Sequence, residues 1–314
     1  MFKYISDLIT FQLFHLNPDN RLTEVVNFFI YDTIKILILI FTVVTVINFI
    51  RTFFEQKLMK EKIGKLPLGL GNLAAALFGA ITPFCSCSSI PLFIGFVESR
   101  ISLGIAFSFL ITSPLVNEVA FVIMGGLFGW KLAFLYALSG IALGVFGGMI
   151  IGALKMEKEI IIESSKEKHS ESYMPKTFHG KAKFALHIGY NNLKKLLPYV
   201  IGGVAIGALI HGYVPTNFFT STIGRYEALS VPIATLIGVP IYAGCSTIVP
   251  LIFSITANGV PLGTSLAFMM AIAGLSLPEA IILKRVMSLK LLLTFFGLVS
   301  VGIMIIGYLF NALS

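Results

Sequence analysis

The stretch TPFCSCSSIP (residues 82–91) places hydroxyl and thiol side chains between two prolines, inside a long apolar segment. Proline has no backbone N–H to donate and breaks a helix. In a bilayer, irregular backbone is tolerated only where protein or water covers it. The stretch therefore predicts a broken or re-entrant membrane helix, whose small polar side chains supply missing hydrogen-bond partners or line a path.

A similar stretch occurs in the second half of the chain. CSSIPL (87–92) resembles CSTIVPL (245–251). Three further pairs follow in the same order at nearly constant offsets of 159 to 161 residues: Leu103-Gly104 with Leu262-Gly263, Glu118 with Glu279, and Lys131 with Lys290. Matches in a constant order predict an internal repeat.

The composition indicates that lipid is the main solvent. The 314 residues are 56% hydrophobic and 12% charged, with a mean hydropathy of +0.92, whereas soluble domains carry about 25% charged residues. A straight span needs about 20 apolar residues. Apolar segments long enough, or longer, lie at about 28–50, 68–97, 101–128, 131–154, 186–211, 228–257, 261–283 and 289–312.

The net charge of +8 is concentrated in a few segments, chiefly 51–65 and 155–195. No nucleic-acid motif accompanies it, so nucleic acid is not an expected partner. Cytoplasmic loops are rich in Lys and Arg, and Lys284, Arg285 and Lys290 mark a third such loop. We therefore expect these loops to face the cytoplasm of a cell (plasma or inner) membrane.

Two cytoplasmic loops must be separated by an even number of crossings, and each half adds one more crossing, at 28–50 or at 289–312. Each half therefore crosses the membrane an odd number of times, so the second half must be inverted relative to the first. The sequence thus predicts an all-α, polytopic membrane protein, made of two inverted repeats with broken or re-entrant helices, a transporter arrangement that places the substrate site near the midplane. The predicted domains are 1–27, 28–154, 155–185 and 186–314. The first is an amphipathic leader at the interface, the third a Lys-rich cytoplasmic linker, and the others are the two repeats.

Small polar residues at the two breaks are candidate substrate ligands: Cys85, Ser86, Cys87, Ser88, Ser89, Cys245, Ser246 and Thr247. Thiols are soft ligands that select thiophilic species. Cys85 and Cys87 would close only a very small, strained disulfide ring, so free thiols are expected. The alternative is that these cysteines are small residues that pack at helix breaks.

Two acids and an amide form a second candidate group. Glu118, beside Asn117, and Glu279, beside a proline, lie inside apolar segments. An acid at the centre of a membrane helix costs about 2.5–3.5 kcal/mol on insertion scales. A partner, a proton or a water-filled cavity must compensate, which indicates proton coupling or attraction of a cation. The alternative is that each carboxylate caps a half-helix.

Motifs for other chemistries are absent from the sequence. The five His have no ligand spacing, and there is no phosphate loop, nucleophile elbow or dinucleotide fingerprint. We therefore expect no metal, no cofactor and no enzymatic activity. A membrane thiol-redox enzyme using Cys85 and Cys87 remains an alternative from another class, although no Cys-x-x-Cys motif supports it.

The stretches TPFCSCSSIPLFIGF (82–96), TSPLVNEVA (112–120) and GCSTIVPL (244–251) resemble the predicted-permease family that includes ArsP and YraQ. The likeness covers roughly 28–312. It implies a permease exporting a small thiol-reactive solute such as a trivalent organoarsenical, with Cys85, Cys87 and Cys245 as candidate ligands. An arsenical with one carbon substituent can bind two sulfurs and leave by thiol exchange. A permease or channel for another small solute, such as a sulfur compound or an anion, is the alternative.

Overall fold

The computed structural model describes residues 2–13, 21–51, 69–82, 86–98, 101–161, 177–213, 229–241, 245–257 and 259–313. These ranges are almost entirely helical and contain no β-strand, which confirms the all-α prediction. Their α-helices are α1 (Phe2–Asp7), α2 (Arg21–Arg51), α3 (Leu70–Ile81), α4 (Ser86–Glu98), α5 (Leu103–Leu115), α6 (Glu118–Phe128), α7 (Trp130–Ala153), α8 (Phe178–Tyr213), α9 (Ser230–Gly238), α10 (Cys245–Ala257), α11 (Leu262–Gly274), α12 (Leu277–Leu283) and α13 (Leu289–Leu313).

The same order of helices occurs twice along the chain. Each half starts with a long helix, α2 or α8, and ends with another, α7 or α13. Between them lie two broken pairs, α3–α4 and α5–α6 in the first half and α9–α10 and α11–α12 in the second. The long first helices begin at Arg21 and Phe178, before the repeat boundaries that hydropathy indicates, because their first turns are polar.

Close helix contacts recur at equivalent positions. A Cβ built on Gly79 would lie 3.0 Å from the Phe109 carbonyl oxygen, and one on Gly238 would lie 3.1 Å from that of Phe268. Gly79 and Gly238 are 159 residues apart, as are Phe109 and Phe268, and this is the offset of the sequence repeat. The recurrence of α3–α5 packing as α9–α11 packing supports two related halves.

Equivalent helices of the two halves pack antiparallel. On α7 and α13, Gly147 lies against Leu298 while Leu143 lies against Gly302, so the contacts advance in opposite chain directions. The pair α2 and α8 behaves likewise. Gly189 lies against Thr45, whereas Phe49, further along α2, stacks edge-on against Phe178 at the start of α8, with ring centroids 5.4 Å apart.

The first broken pair folds back on itself. Asn72 on α3 donates to Ser108 on α5 over 2.9 Å, and Gly79, further along α3, contacts Phe109 and Ser113. These contacts advance in the same direction, so α4, which joins the two helices, must return. The 12 residues of α3 span about 18 Å, too little for a hydrocarbon core of about 30 Å. This geometry supports a re-entrant α3–α4 pair.

Three helices in the described ranges are long and apolar enough to cross a membrane: Trp130–Ala153, Leu262–Leu283 (α11 with α12) and Leu289–Leu313. The pair α5–α6, bent by 44°, would make a fourth. The eight apolar segments predicted from the sequence therefore do not correspond to eight single spans in these ranges. Several segments are divided by a break into pieces too short to cross alone.

The start of the linker lies against the loop before α13. Ile161 N–H donates to the Val286 carbonyl over 2.8 Å, and Ser288 N–H donates to the Glu159 carbonyl over 2.7 Å. Residues 155–161 and 284–290 therefore occupy the same end of the molecule, as two loops on one side of a membrane must. Residues 52–65 and 162–176 lie outside the described part of the chain.

The leader is docked on α2 through polar groups. Ser6 donates to the Asn27 amide oxygen over 2.7 Å, and the Asn27 amide nitrogen donates to Asp7 over 2.8 Å. Ser6 is fully buried, whereas Tyr4 and Leu8 are exposed. Ser6 thus faces the protein, whereas Tyr4 and Leu8 face away from it. The apolar face of the amphipathic leader would consist of Phe2, Ile5, Ile9, Leu13 and Leu16, and of these side chains the structure describes only that of Ile9.

Candidate functional site

The break between α5 and α6 is closed by local hydrogen bonds. Val116 N–H donates to the Thr112 carbonyl over 2.8 Å at the end of α5. The Asn117 side chain then caps α6, because its oxygen accepts from Val119 N–H at 2.9 Å and from Ala120 N–H at 3.4 Å. Asn117 therefore satisfies the first turn of its own helix, which is the usual work of an N-cap residue.

Glu118 is the first helical residue of α6, and it is exposed. An acid in a first turn is stabilised by the unpaired N–H groups of that turn. The position of Glu118 in the first turn agrees with the cap alternative, while the cap hydrogen bonds themselves are made by Asn117. The exposed Glu118 lies outside the packed core.

The equivalent break between α11 and α12 is organised differently. Ser276 is the N-cap residue of α12 but makes no side-chain cap bond. Glu279 is the third residue of α12, and both Ser276 and Glu279 are only 1% exposed. Within the described residues, Ser276 Oγ and both carboxylate oxygens of Glu279 have no hydrogen-bond partner.

The two acids do not occupy the same position in their helices. The 159-residue offset aligns Asn117 with Ser276, the two N-cap residues, and leaves Glu118 at the first and Glu279 at the third helical position. The pairing of Glu118 with Glu279 is thus displaced by two residues from the structural register. Because of this displacement one acid is exposed and the other is buried.

The two breaks lie close to each other in space. A Cβ built on Gly274, the last residue of α11, would lie 2.8 Å from a methyl carbon of Leu115, the last residue of α5. The C-terminal ends of α5 and α11 are therefore in contact. Two half-helices also cross between the halves, since Phe128 of α6 stacks edge-on against Phe253 of α10 with centroids 5.4 Å apart.

The thiol and hydroxyl stretches start the two equivalent helices α4 and α10. Ser86 is the first residue of α4 and Cys245 the first of α10, again 159 residues apart. Cys85 lies outside the described residues, as do the side chains of Ser86, Cys87, Ser88, Cys245, Ser246 and Thr247. Ser89 is described and is fully buried. The structure thus places the backbone of both stretches at helix starts and describes one of their side chains.

Sequence reasoning missed several buried polar groups. Asp32 lies in an apolar segment of α2 and is 8% exposed. A search of the apolar segments for acidic residues would have found it. Ser276 was missed because serine is common at helix starts. The described residues include no group of three or more His, Cys, Asp or Glu that could hold a metal ion.

A second polar cluster joins three helices of the second half. Ser230 and Thr264 are 3.0 Å apart, and the Asn311 amide donates to Thr264 over 3.0 Å. In the first half the equivalent helices α3 and α5 are joined by the Asn72–Ser108 bond, which lies at other positions of the repeat. Such bonds between packed helices contribute to association in lipid. The clusters hold the half-helices in place and are not themselves candidate ligands.

One relative of this chain is named as a permease subunit, and two others carry UPF0718 names. A candidate subunit of a two-component membrane permease complex from Streptococcus mutans is 27% identical over 253 residues, covering 80% of this chain and 81% of the relative. The UPF0718 protein MJ0584 of Methanocaldococcus jannaschii is 23% identical, covering 77% of this chain and 82% of its own.

The UPF0718 protein YraQ of Escherichia coli is 23% identical over 244 residues, covering 76% of this chain and 66% of its own length. No solved structure matches the chain. The model of a predicted-permease family, ArsP_1, matches residues 21–312, which is nearly the whole chain. The helical architecture with apolar membrane-capable helices agrees with that match. The protein therefore belongs to the ArsP_1 family of predicted permeases.

Proposed function

We propose that this permease is a secondary carrier that exports a small thiol-reactive solute, such as a trivalent organoarsenical, across the cell membrane. The observation that carries the proposal is the meeting of equivalent helix breaks, where Leu115 at the end of α5 contacts Gly274 at the end of α11. Broken helices that meet between two related halves provide unpaired backbone groups beside a path.

The two halves are inverted repeats in this proposal. The antiparallel packing of α7 with α13, through Gly147–Leu298 and Leu143–Gly302, supports it. A two-fold axis along the helices would make equivalent helices parallel, whereas an axis in the membrane plane makes them antiparallel. The joined loops at Glu159 and Ser288, in sequence rich in Lys and Arg, support a cytoplasmic location for that end.

The thiols are the proposed ligands of the solute. Cys245 starts α10, and Cys87 lies in the first turn of the equivalent helix α4. A carrier must release its solute, so three simultaneous thiolate bonds would hold it too long. Two sulfurs, from Cys85 or Cys87 together with Cys245, suit an arsenical with one carbon substituent and allow release by thiol exchange.

Export needs an energy source, which we assign to cation exchange at the acids beside the breaks. Proton exchange at Glu118 or Glu279 is the simplest form. Glu118 is exposed, whereas the carboxylate of Glu279 is buried without a partner among the described residues. The burial favours Glu279 as the group whose charge must be compensated by a bound cation.

Growth protection tests the proposed substrate class. A host without its own arsenical exporters is grown with trivalent methyl and phenyl arsenicals. The pentavalent forms, which thiols do not bind, are the control. We expect expression of this chain to raise the tolerated dose of the trivalent forms alone. Equal growth with and without the chain on every arsenical would reject this class and leave another small solute, such as a sulfur compound or an anion.

A second protein belongs in the same test, because the Streptococcus mutans relative is named as a subunit of a two-component complex. We propose that this chain also works with a partner subunit or with a second copy of itself. The assay is therefore run with the chain alone and with its neighbouring membrane-protein genes. Protection that appears only in the second arm would identify a two-component permease.

A further inference from the structure

The residues SLPE (276–279) have the spacing of a capping box but not its hydrogen bonds. In a capping box the Ser side chain bonds to the third backbone N–H of the helix, and the Glu side chain bonds back to the N–H of the Ser. Here the Ser276 side chain makes no cap bond. Three side-chain oxygens, from Ser276 and Glu279, lie buried within four residues and have no partner among the described residues.

Buried oxygens of this kind are costly unless something binds them. An unsatisfied buried acceptor costs about 1–3 kcal/mol, and more when it is charged. Further oxygens lie at the same break, because the last carbonyls of a helix have no intrahelical partner. The Ala271 carbonyl accepts from Leu275 N–H. The Gly274 carbonyl would need the N–H of residue 278, but Pro278 has none.

We propose that Ser276, Glu279 and the last carbonyls of α11 bind a sodium ion, and that this ion is the coupling cation. The ligand set would consist of a carboxylate, a hydroxyl and backbone carbonyls, all hard oxygen donors. Unwound backbone carbonyls and half-helix C-terminal ends hold Na⁺ in broken-helix carriers. The coupling role rests on the proposed function, whereas the binding itself does not.

The number of free oxygens favours a metal cation over a proton. A proton on Glu279 would satisfy one oxygen and add a donor that itself needs an acceptor, whereas one ion contacts several oxygens at once. The single carboxylate favours a monovalent ion over Ca²⁺, which takes 6–8 oxygen ligands and commonly several carboxylates. Among the described residues no cluster of three acids, His or Cys provides a stronger site.

The equivalent break of the first half, between α5 and α6, shows no such site among its described residues. This break is capped by Asn117, whose side-chain oxygen already accepts two backbone N–H groups. Glu118 is exposed rather than buried. The two breaks thus differ, with the proposed cation at one and a hydrogen-bonded cap beside an exposed acid at the other.

The proposed ion lies next to two moving parts of the carrier. Gly274, two residues before Ser276, is in contact with Leu115 at the end of α5. The helix α12 also packs against α4, which begins in the thiol and hydroxyl stretch. Filling or emptying the site therefore changes the break that both halves share, and the change reaches the proposed substrate ligands through α4.

Protection against a carbodiimide tests the site without any substrate. The purified full chain is treated with dicyclohexylcarbodiimide, and modification of the peptide that contains Glu279 is measured by mass spectrometry in NaCl or choline chloride at one pH. We expect Na⁺ to protect Glu279 and K⁺ to protect it far less. We also expect Na⁺, but not choline, to raise the melting temperature, because a ligand that binds only the folded state stabilises it.

Matched variants identify the ligands. Ser276→Ala should raise the Na⁺ concentration needed for half-protection by about tenfold, the size of change that a lost partner causes at metal sites. Ser265→Ala is the control. Ser265 lies on α11 and, like Ser276, is a buried serine whose hydroxyl has no partner among the described residues. Glu279→Gln should abolish the rise in melting temperature.

Equal modification and equal melting temperature in NaCl and choline chloride would reject the sodium site. Modification that follows pH but not Na⁺ would also reject it and would return Glu279 to proton exchange, with the carrier proposal intact. Protection by Na⁺ in a protein that moves no arsenical would keep the ion site and reject the proposed substrate class. The two proposals therefore fail separately.

Discussion

Leu115 ends α5 and Gly274 ends α11, and the Leu115 side chain occupies the space that a side chain on Gly274 would need. Each residue is followed within two positions by the N-cap of the next half-helix, Asn117 or Ser276. One contact thus joins two chain breaks from different halves. A shift at either break must displace the other, because packed side chains cannot be compressed. This contact links the fold to the proposed transport cycle.

Glycines at helix crossings should tolerate substitution very unevenly. A Cβ on Gly263 would collide with the Gly307 backbone carbonyl, whereas one on Gly297 would meet nothing within 4 Å. We expect Gly263→Ala to destabilise the protein by about 1–3 kcal/mol, as overpacking does. Gly297→Ala is the control and should not lower stability, since Ala favours helix. Thermal unfolding in detergent measures both, and an equal response would contradict this packing.

The loop before α13 should depend on one serine more than on its neighbouring ion pair. Ser288 donates to a Glu159 carboxylate oxygen over 2.6 Å and accepts from Leu291 N–H at 3.3 Å. Ser288→Ala should cost about 1–2 kcal/mol, because a bond to a charged group and a helix cap are both lost. Thermal unfolding again measures the loss.

The matched change at this loop is Lys290→Ala. Lys290 pairs with Glu159 at 3.8 Å, but its side chain is 75% exposed. Such a pair contributes about 0–1 kcal/mol. A larger loss from Lys290→Ala than from Ser288→Ala would show that the charge, and not the hydroxyl, joins the linker to this loop.

Single cysteines at the linker and at the loop before α13 should be labelled from the same side. Lys158 and Lys284 are both exposed, and the segments that contain them are joined by backbone hydrogen bonds. In a variant with Cys85, Cys87 and Cys245 replaced by Ser, we expect Lys158→Cys and Lys284→Cys to react with an impermeant maleimide only after the cytoplasmic face is opened. Labelling of both from outside intact cells would reverse the proposed orientation, and labelling from opposite sides would contradict the joined loops.

Some of this architecture follows from the sequence because it depends on spacing. The offset of about 159 residues predicts which helices are equivalent, and the prolines at 83 and 240 predict where pairs break. The broken or re-entrant character of the segment 68–97 follows from the prolines in 82–91, and the common direction of α3 and α5 supports it. Hydropathy marks segments, but it does not distinguish a full crossing from a short return, because both are equally apolar.

The difference between the two acids does not follow from the sequence. Asn117 beside Glu118 makes that break the more polar one and favours Glu118 as the coupling residue. In the fold, however, Asn117 uses its side chain to cap α6, while Ser276 leaves its own helix uncapped. Whether a capping residue bonds to its helix depends on side-chain rotamers and neighbours, which spacing does not contain.

Replacing the thiols should remove resistance without removing the protein. Serine is close to cysteine in size but lacks its affinity for soft species. We expect Cys245→Ser, and the double variant Cys85→Ser with Cys87→Ser, to lose protection against trivalent organoarsenicals at normal protein abundance. Ser254→Ala is the control, because Ser254 lies on α10 well beyond its first turn. Full protection by the triple Ser variant would support the alternative in which the cysteines only pack.

Accumulation of a trivalent aryl arsenical in everted membrane vesicles tests the central claim most directly. Export from the cell becomes uptake into such vesicles, so initial rates are compared with and without imposed gradients of protons and of sodium. We predict that one of these gradients accelerates uptake. Glu279→Gln should remove the effect of that gradient, and the variant with Cys85, Cys87 and Cys245 replaced by Ser should abolish uptake. Uptake no faster than in vesicles lacking the protein, under every gradient, would contradict the account.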